Sequence, residues 1–459
     1  GGNIDLTNGK IEVNNGYAAY TDGTGRIDLT NAEIILGGKA TAFDIDKGGG
    51  SSPITLSNTK VHIKSNDVIA FNIKNMPATA ISTLQGDVTS GITVTSDAGI
   101  TKYLEAALEK TTITVDQTMD KSSTSGNDFY YFNRVIAQNS ILDVDNNVTA
   151  ELATTSTGSA LGADAYKGQV IALEMNASKS ATSNTTSQIN IASSATITAA
   201  RTDAPTGNEL GAVGVFINYG QLKNEGAIEI QKDYTNIKGG TGVFAANGSK
   251  VENKATGKID VYGEEALGIY ATAWRKTSLG TLAGEEFGAA ALNQGKTSVV
   301  NNGNITTNGD NSVGIYLENN SRDASLAGGM NREISAANAG TITVGKDSIG
   351  MYASGTGTGY ESETKIGNTG TIKVGENSTG IYGENAVTVT NIGKLELGKG
   401  ATGVALSPDS KLDLSATFGT ITTTGGVSDR VILAIHGDTS SPAATSIAMP
   451  GGTLDTSSI

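Results

Sequence analysis

The residues able to do chemistry in this chain are few and scattered. His62 and His436 are the only two histidines, and there is no cysteine. That leaves no thiolate metal site, no disulfide and no Cys nucleophile, and the distance between the two imidazoles along the chain argues against a shared acid–base or metal site. His62 alternates with Val61 and Ile63 and is expected to face solvent. Carboxylates occur in close pairs at Glu264 and Glu265, at Glu285 and Glu286, and at Asp143 and Asp145. Paired carboxylates are what glycoside cleavage requires, but in an acidic chain such pairs are usually solvated surface. Gly295-Lys296-Thr297 resembles the end of a phosphate-binding loop, yet Ala290 stands where that loop needs its first glycine, so it reads as an ordinary loop. No G-x-S-x-G elbow is present. Neither a catalytic residue nor a cofactor or metal site is assigned, and the chain is read as a non-enzyme.

Two aromatic groups are better suited to binding. Trp274 lies beside Arg275, and a Trp–Arg pair suits a sugar face or a protein hot spot. A Trp that anchors its own loop is the commoner case. Phe129, Tyr130 and Tyr131 form the densest aromatic run. These five residues are the candidate ligand contacts.

The elements that must position them follow from composition and repetition. Glycine is 60 of 459 residues, well above the usual share of about 7%. Hydrophobic residues are only 37%, which suits a thin core. The formal charge of −14 repels phosphate backbones, so nucleic acid is not an expected partner. No apolar run approaches the roughly 20 residues of a membrane span, so no membrane insertion by this segment is expected. The phrase NAGTITVGKDSIGMY at 338–352 recurs as NTGTIKVGENSTGIY at 368–382 and, more loosely, at 301–316. Three phrases also open the chain, aligning Ile4, Ile27 and Ile54, then Leu6, Leu29 and Leu56, then Asn8, Asn31 and Asn58. A unit of this size, with period-2 alternation and Asn or Gly corners, predicts one turn of a parallel β-helix stacked on its neighbours.

The expected fold is therefore all-β, a right-handed parallel β-helix with projecting loops. Residues 1–75 should form coils. Residues 76–140 should form irregular coils, with one short helix near 101–110 (TKYLEAALEK) and an aromatic loop. Residues 141–406 should form coils carrying insertions near 271–296, 317–338 and 353–365. Residues 407–459 should form degenerate coils that continue toward a missing C-terminal part. The recurring G-[IV]-[YF] strand poses a question of orientation. Strict alternation puts its aliphatic residues inside and its Tyr and Phe residues outside, whereas a kink at the glycine would turn the aromatics inward. A stacked aromatic column of this kind usually serves packing.

The N-x-G-x-I-x-V-G-x-x-S-x-G-I-Y wording, strongest over 211–406, resembles the passenger repeats of large fusobacterial-type autotransporter adhesins of the type V secretion class. The resemblance implies a secreted β-helical passenger, displayed on the outer membrane through a C-terminal barrel or released. It also implies adhesion to a host-cell receptor or glycan, or to a partner bacterial surface. The expected species is a monomeric rod. A passive β-helical stalk and a β-helical polysaccharide-degrading enzyme are the alternatives.

Overall fold

In a computed structural model the described residues are 2–22, 24–46, 54–65, 68–76, 91–97, 106–115, 118–120, 134–152, 170–177, 183, 186–203, 211–273, 296–320, 333–356, 363–407, 409–414, 419–423, 431–435 and 446–448. Every regular element among them is a strand, and every strand pairing described is parallel. The fold is all-β, a right-handed parallel β-helix. The described residues form two compact units, one within Gly1–Leu210 and one within Gly211–Arg275 and Ala289–Ile459.

In the first unit the opening phrases stack as their spacing predicts. Ile4 pairs with Ile27 and Ile27 with Ile54, while Leu6, Leu29 and Leu56 form the adjoining rung. Ile11, Ile34 and Val61 align in the following strands, with Val13, Leu36 and Ile63 two residues on. The reason is burial. Ile27, Ile34, Leu36, Val61 and Ile63 are fully enclosed, and a one-residue slip would turn the whole set outward. Asn8, Asn31 and Asn58 take the corners at φ of 56°, 50° and 48°, a conformation that Asn tolerates better than most residues.

The helix expected near 101–110 is corrected over 106–110, while residues 101–105 lie outside the described residues. Ala106–Glu109 is a strand, lying between Phe71–Lys74 and Val135–Gln138. Leu108 is buried there and Lys110 turns the corner at φ 46°. The helical spacing of Ala107 and Leu108 was real but short. Two neighbouring strands offering ladder hydrogen bonds outweigh a propensity difference of a few tenths of a kcal/mol per residue.

The second unit shows the repeated phrase as one coil. In NTGTIKVGENSTGIY, Asn368 ends a first strand (Thr364–Asn368), Thr371–Val374 is the second strand, and Thr379–Glu384 is the third. The coil before it has Ile334–Asn338, Thr341–Val344 and Ile349–Ser354 in the same places. Ile228, Ile259, Ile305, Ile342 and Ile372 lie in register along the second sheet and are fully buried. Each contributes about 1.5–3 kcal/mol by leaving water, which offsets the entropy of ordering its coil.

Polar ladders run through the corners. Asn224, Asn253, Asn301, Asn338 and Asn368 are buried, and each Nδ2 donates to the next Oδ1, at 2.8, 2.7, 2.6 and 2.6 Å. Asn368 Nδ2 ends the series on the Ile392 carbonyl at 2.7 Å. At the second corner Ser312 and Ser348 each take the next serine's Oγ on their backbone N–H, from Ser348 and Ser378 at 3.0 Å in both cases. Asn311, Asp347 and Asn377 precede these serines with φ of 55°, 52° and 56°.

Candidate functional site

The third strands carry the G-[IV]-Y phrase, and they answer the question of orientation. In Val313–Glu318 the side chains of Ile315 and Leu317 are buried, while Val313, Tyr316 and Glu318 are partly exposed. Gly314 is the point where the alternation changes phase. A Cβ on Gly314 would stand 2.4 Å from Ile342 Cγ2 and 2.6 Å from the Gly350 carbonyl oxygen, so its missing side chain points inward, as does that of Ile315. Gly350 meets Ile372 Cγ2 and the Gly380 carbonyl at the same two distances. The kink anticipated at the glycine therefore exists, but it keeps the aliphatic side chains inside and leaves the tyrosines on the outer face. Glycine is required here because the isoleucine column of the next coil fills the space that a methyl would need.

The aromatic side chains form a continuous ladder. Phe216, Phe244, Tyr270, Tyr316, Tyr352 and Tyr382 follow one another with ring centroids 5.3, 4.6, 5.1, 4.8 and 5.4 Å apart. The two phenylalanines are buried and the four tyrosines are half-buried. Carboxylates flank the hydroxyls. Tyr270 Oη donates to Glu318 Oε2, and Tyr352 Oη donates to Glu384 Oε2 at 2.6 Å. Among the described residues Tyr316 Oη has no hydrogen-bond partner, and Glu318 and Glu384 both act on it electrostatically. Burial first, and then these carboxylates, push the Tyr316 and Tyr352 hydroxyls above the usual tyrosine range. Tyr382 moves the same way, again chiefly through burial. These three tyrosines stay neutral donors at physiological pH.

An apolar shoulder lies beside the rings. Leu267, Val313 and Ile349 are in register, half-buried and outward-facing. The outer face of the second sheet is different in kind: Asn304, Thr306, Thr341, Thr343, Thr371 and Lys373 all point to solvent.

The sequence-nominated residues divide into two groups. Trp274, Arg275, Phe129, Tyr130 and Tyr131 lie outside the described residues, as do Glu285, Glu286 and His436. Of the rest, His62 faces outward between Thr95 Oγ1 and Asp97 Oδ1, at 2.8 Å from each. Lys238 holds Glu264 and also Glu265, the latter at 3.4 Å. Asp143 accepts from Asn190 Nδ2 at 2.8 Å. Thr297 of the Gly-Lys-Thr triplet is fully buried, accepting from the Gly248 N–H at 2.9 Å and donating to the Thr272 carbonyl at 3.2 Å. It is a corner residue.

One carboxylate pair was not foreseen. Glu229 and Asp260 face each other across neighbouring coils of the second sheet. Desolvation raises the Asp260 carboxyl above its ordinary range and Glu229 adds to this, while a hydrogen bond from Thr306 opposes it. Lys232 Nζ ion-pairs with Glu229 at 2.9 Å. Thirty-one positions separate the two acids, and aligning the phrase Ile228-Glu229-Ile230 with Ile259-Asp260-Val261 was the signal that would have found them. Among the described residues no group of three or more His, Cys, Asp or Glu is arranged to hold a metal ion. No helix among them is long and apolar enough to cross a membrane.

Stacked parallel coils with in-register polar corners and one aromatic outer face define a parallel β-helical domain. The family described as the BigA third pectate lyase-like domain matches residues 133–425, and the chain belongs to that family. This makes it a β-helical domain of the BigA type of bacterial surface protein, a broader class than the fusobacterial passengers whose wording it resembles. Comparison with curated proteins and with solved structures returned no significant match.

Proposed function

We infer that the chain is the recognition segment of a bacterial surface adhesin, acting by non-covalent binding and without catalysis. Its partner is a host-cell receptor or glycan, or the surface of another bacterium. In this reading it is exported as a type V passenger and held at the outer membrane by a C-terminal barrel, or released. The observation that supports it is the third-sheet strip, where rings, apolar side chains and carboxylates share one outer face over consecutive coils. Partly exposed aromatics with polar tips suit an interface, because each supplies contact area and a directed hydrogen bond. Trp274, Arg275, Phe129, Tyr130 and Tyr131 are further contact candidates.

Attachment of the labelled chain to host cells and to partner bacteria tests the proposal. Saturable binding that drops in Tyr316→Ala or in Trp274→Ala supports an adhesin. Wild-type protein that fails to attach to any surface would leave the passive stalk. A second reading rests on Glu229 and Asp260: a raised carboxyl beside a second carboxylate is the arrangement that acid–base cleavage of a polysaccharide uses. Sugar release from a polysaccharide panel, abolished by Asp260→Asn, would establish that reading in place of the first.

A further inference from the structure

The third-sheet strip repeats a small set of groups along the stack. Tyr270, Tyr316, Tyr352 and Tyr382 advance one coil at a time, with centroid steps of 5.1, 4.8 and 5.4 Å. Coil spacing in a parallel β-helix is about 4.8 Å, close to the length of one hexose in an extended chain. A linear glycan laid along the ladder therefore meets one ring per sugar. The rings of Tyr316 and Tyr352 meet at 60° and those of Tyr352 and Tyr382 at 70°, so they do not fully cover one another's faces. Ring faces left in this way pack against the C–H faces of sugars.

The polar groups make the same point. Tyr316 Oη is a donor without a partner among the described residues. Glu318 and Glu384 each take a tyrosine hydroxyl on Oε2, which leaves Oε1 of each to accept. One free donor and two free acceptors among stacked rings is the inventory that a polyhydroxylated ligand fills. An aliphatic helix or a bare protein edge would leave these groups unsatisfied, which weakens binding for each one buried.

Charge narrows the ligand class. The four third strands read LGIYAT, VGIYLE, IGMYAS and TGIYGE, and contain no Lys or Arg. Their only ionised groups are Glu318 and Glu384. An acidic polysaccharide would bring its carboxylates against these two, and none of the four strands supplies a cation to receive them. We propose that the tyrosine strip formed by Leu267–Thr272, Val313–Glu318, Ile349–Ser354 and Thr379–Glu384 binds a linear, non-acidic glycan lying along the coil stack, one sugar per coil. This rests on the adhesin reading above and names the ligand class for it.

The test is calorimetric titration of the full chain with cellohexaose, chitohexaose and an oligogalacturonate of the same length. Binding of at least one neutral hexaose is expected, with no binding of the oligogalacturonate. Tyr316→Ala should weaken the neutral ligand by about tenfold, the size of one lost aromatic contact. Tyr316→Phe and Glu318→Gln, which preserve the packing, should each weaken it by about three- to tenfold through one lost hydrogen bond. A preference for the oligogalacturonate would overturn the proposal. So would the absence of binding to either neutral hexaose, or affinity unchanged in all three variants. Cell attachment measured alongside separates the two readings. Attachment that persists after the cells are stripped of glycans sinks the glycan proposal and leaves the adhesin standing, whereas wild-type protein that attaches to nothing sinks the adhesin.

Discussion

Asparagine does opposite work in the two units. In the first, Asn8, Asn31 and Asn58 turn exposed corners at positive φ, and their side chains meet at 3.2 and 2.8 Å in solvent. In the second, Asn253, Asn301, Asn338 and Asn368 end strands without left-handed backbone, and their amides form a buried chain. The outer ladder is a backbone device with a side-chain garnish. The inner one is a hydrogen-bond network in which each rung satisfies the next. The same residue type recurring at repeat spacing therefore has no single meaning. Between these two ladders the difference is whether the amides face water.

Exchanging the residue for glycine breaks this comparison most sharply. Asn338→Gly should cost about 2–4 kcal/mol, because it leaves Asn368 Oδ1 without its donor in the interior and Asn301 Nδ2 with only its 3.3 Å bond to the Gly303 carbonyl. Asn31→Gly should change stability by well under 1 kcal/mol, because glycine accepts the corner's φ freely and both lost bonds are exposed. Hydrogen exchange of amides in the flanking coils measures both, which suits a repeat array better than a single melting curve. Equal losses at the two sites would refute the distinction.

Gly314→Ala comes next, at about 1–3 kcal/mol, because its methyl meets a neighbouring carbonyl oxygen and Ile342 rather than a flexible tip. Urea denaturation checks it, and a neutral result would mean that the glycine is there for the turn alone. Thr307→Val should move the other way. The Thr307 side chain lies in register between Val261 and Val344, fully buried, with no partner for its hydroxyl. Removing that hydroxyl with little change of shape should stabilise by about 1 kcal/mol, read as a higher urea midpoint.

The smallest effect is the dependence on alkaline pH. The Tyr316, Tyr352 and Tyr382 hydroxyls are held above the value they have in an unfolded chain, about 10. The folded state thus keeps these protons longer than the unfolded chain does. Stability from this source is complete below about pH 10 and declines as pH rises through the elevated folded values. Tyr352→Phe should flatten that decline and leave the neutral-pH midpoint nearly unchanged. An absorbance titration of tyrosinate should show a group of tyrosines ionising late.

Much of the coil was legible before any coordinates. The stacking of Ile4, Ile27 and Ile54, the strand at Thr371–Val374 and the corner before Thr379 all follow from period-2 alternation and repeat spacing, which are local properties. The helix at 101–110 was misread because its strand partners lie some 30 residues away on each side, at Phe71–Lys74 and Arg134–Gln138. Glu229 with Asp260 could have been found only by aligning the repeats across coils, and the Tyr316 hydroxyl between two glutamates was invisible for the same reason: these groups come together only when coils stack.

The chain by itself determined its strand class, its corners and its register. Backbone geometry and the requirement to bury alternate residues are written within a single coil. Only the tertiary structure decided which face the tyrosines take, since alternation permits either side of a kinked strand. It also decided which asparagines are buried and which acids meet. Those outcomes depend on what the next coil places 4.8 Å away, and that is set by packing between coils.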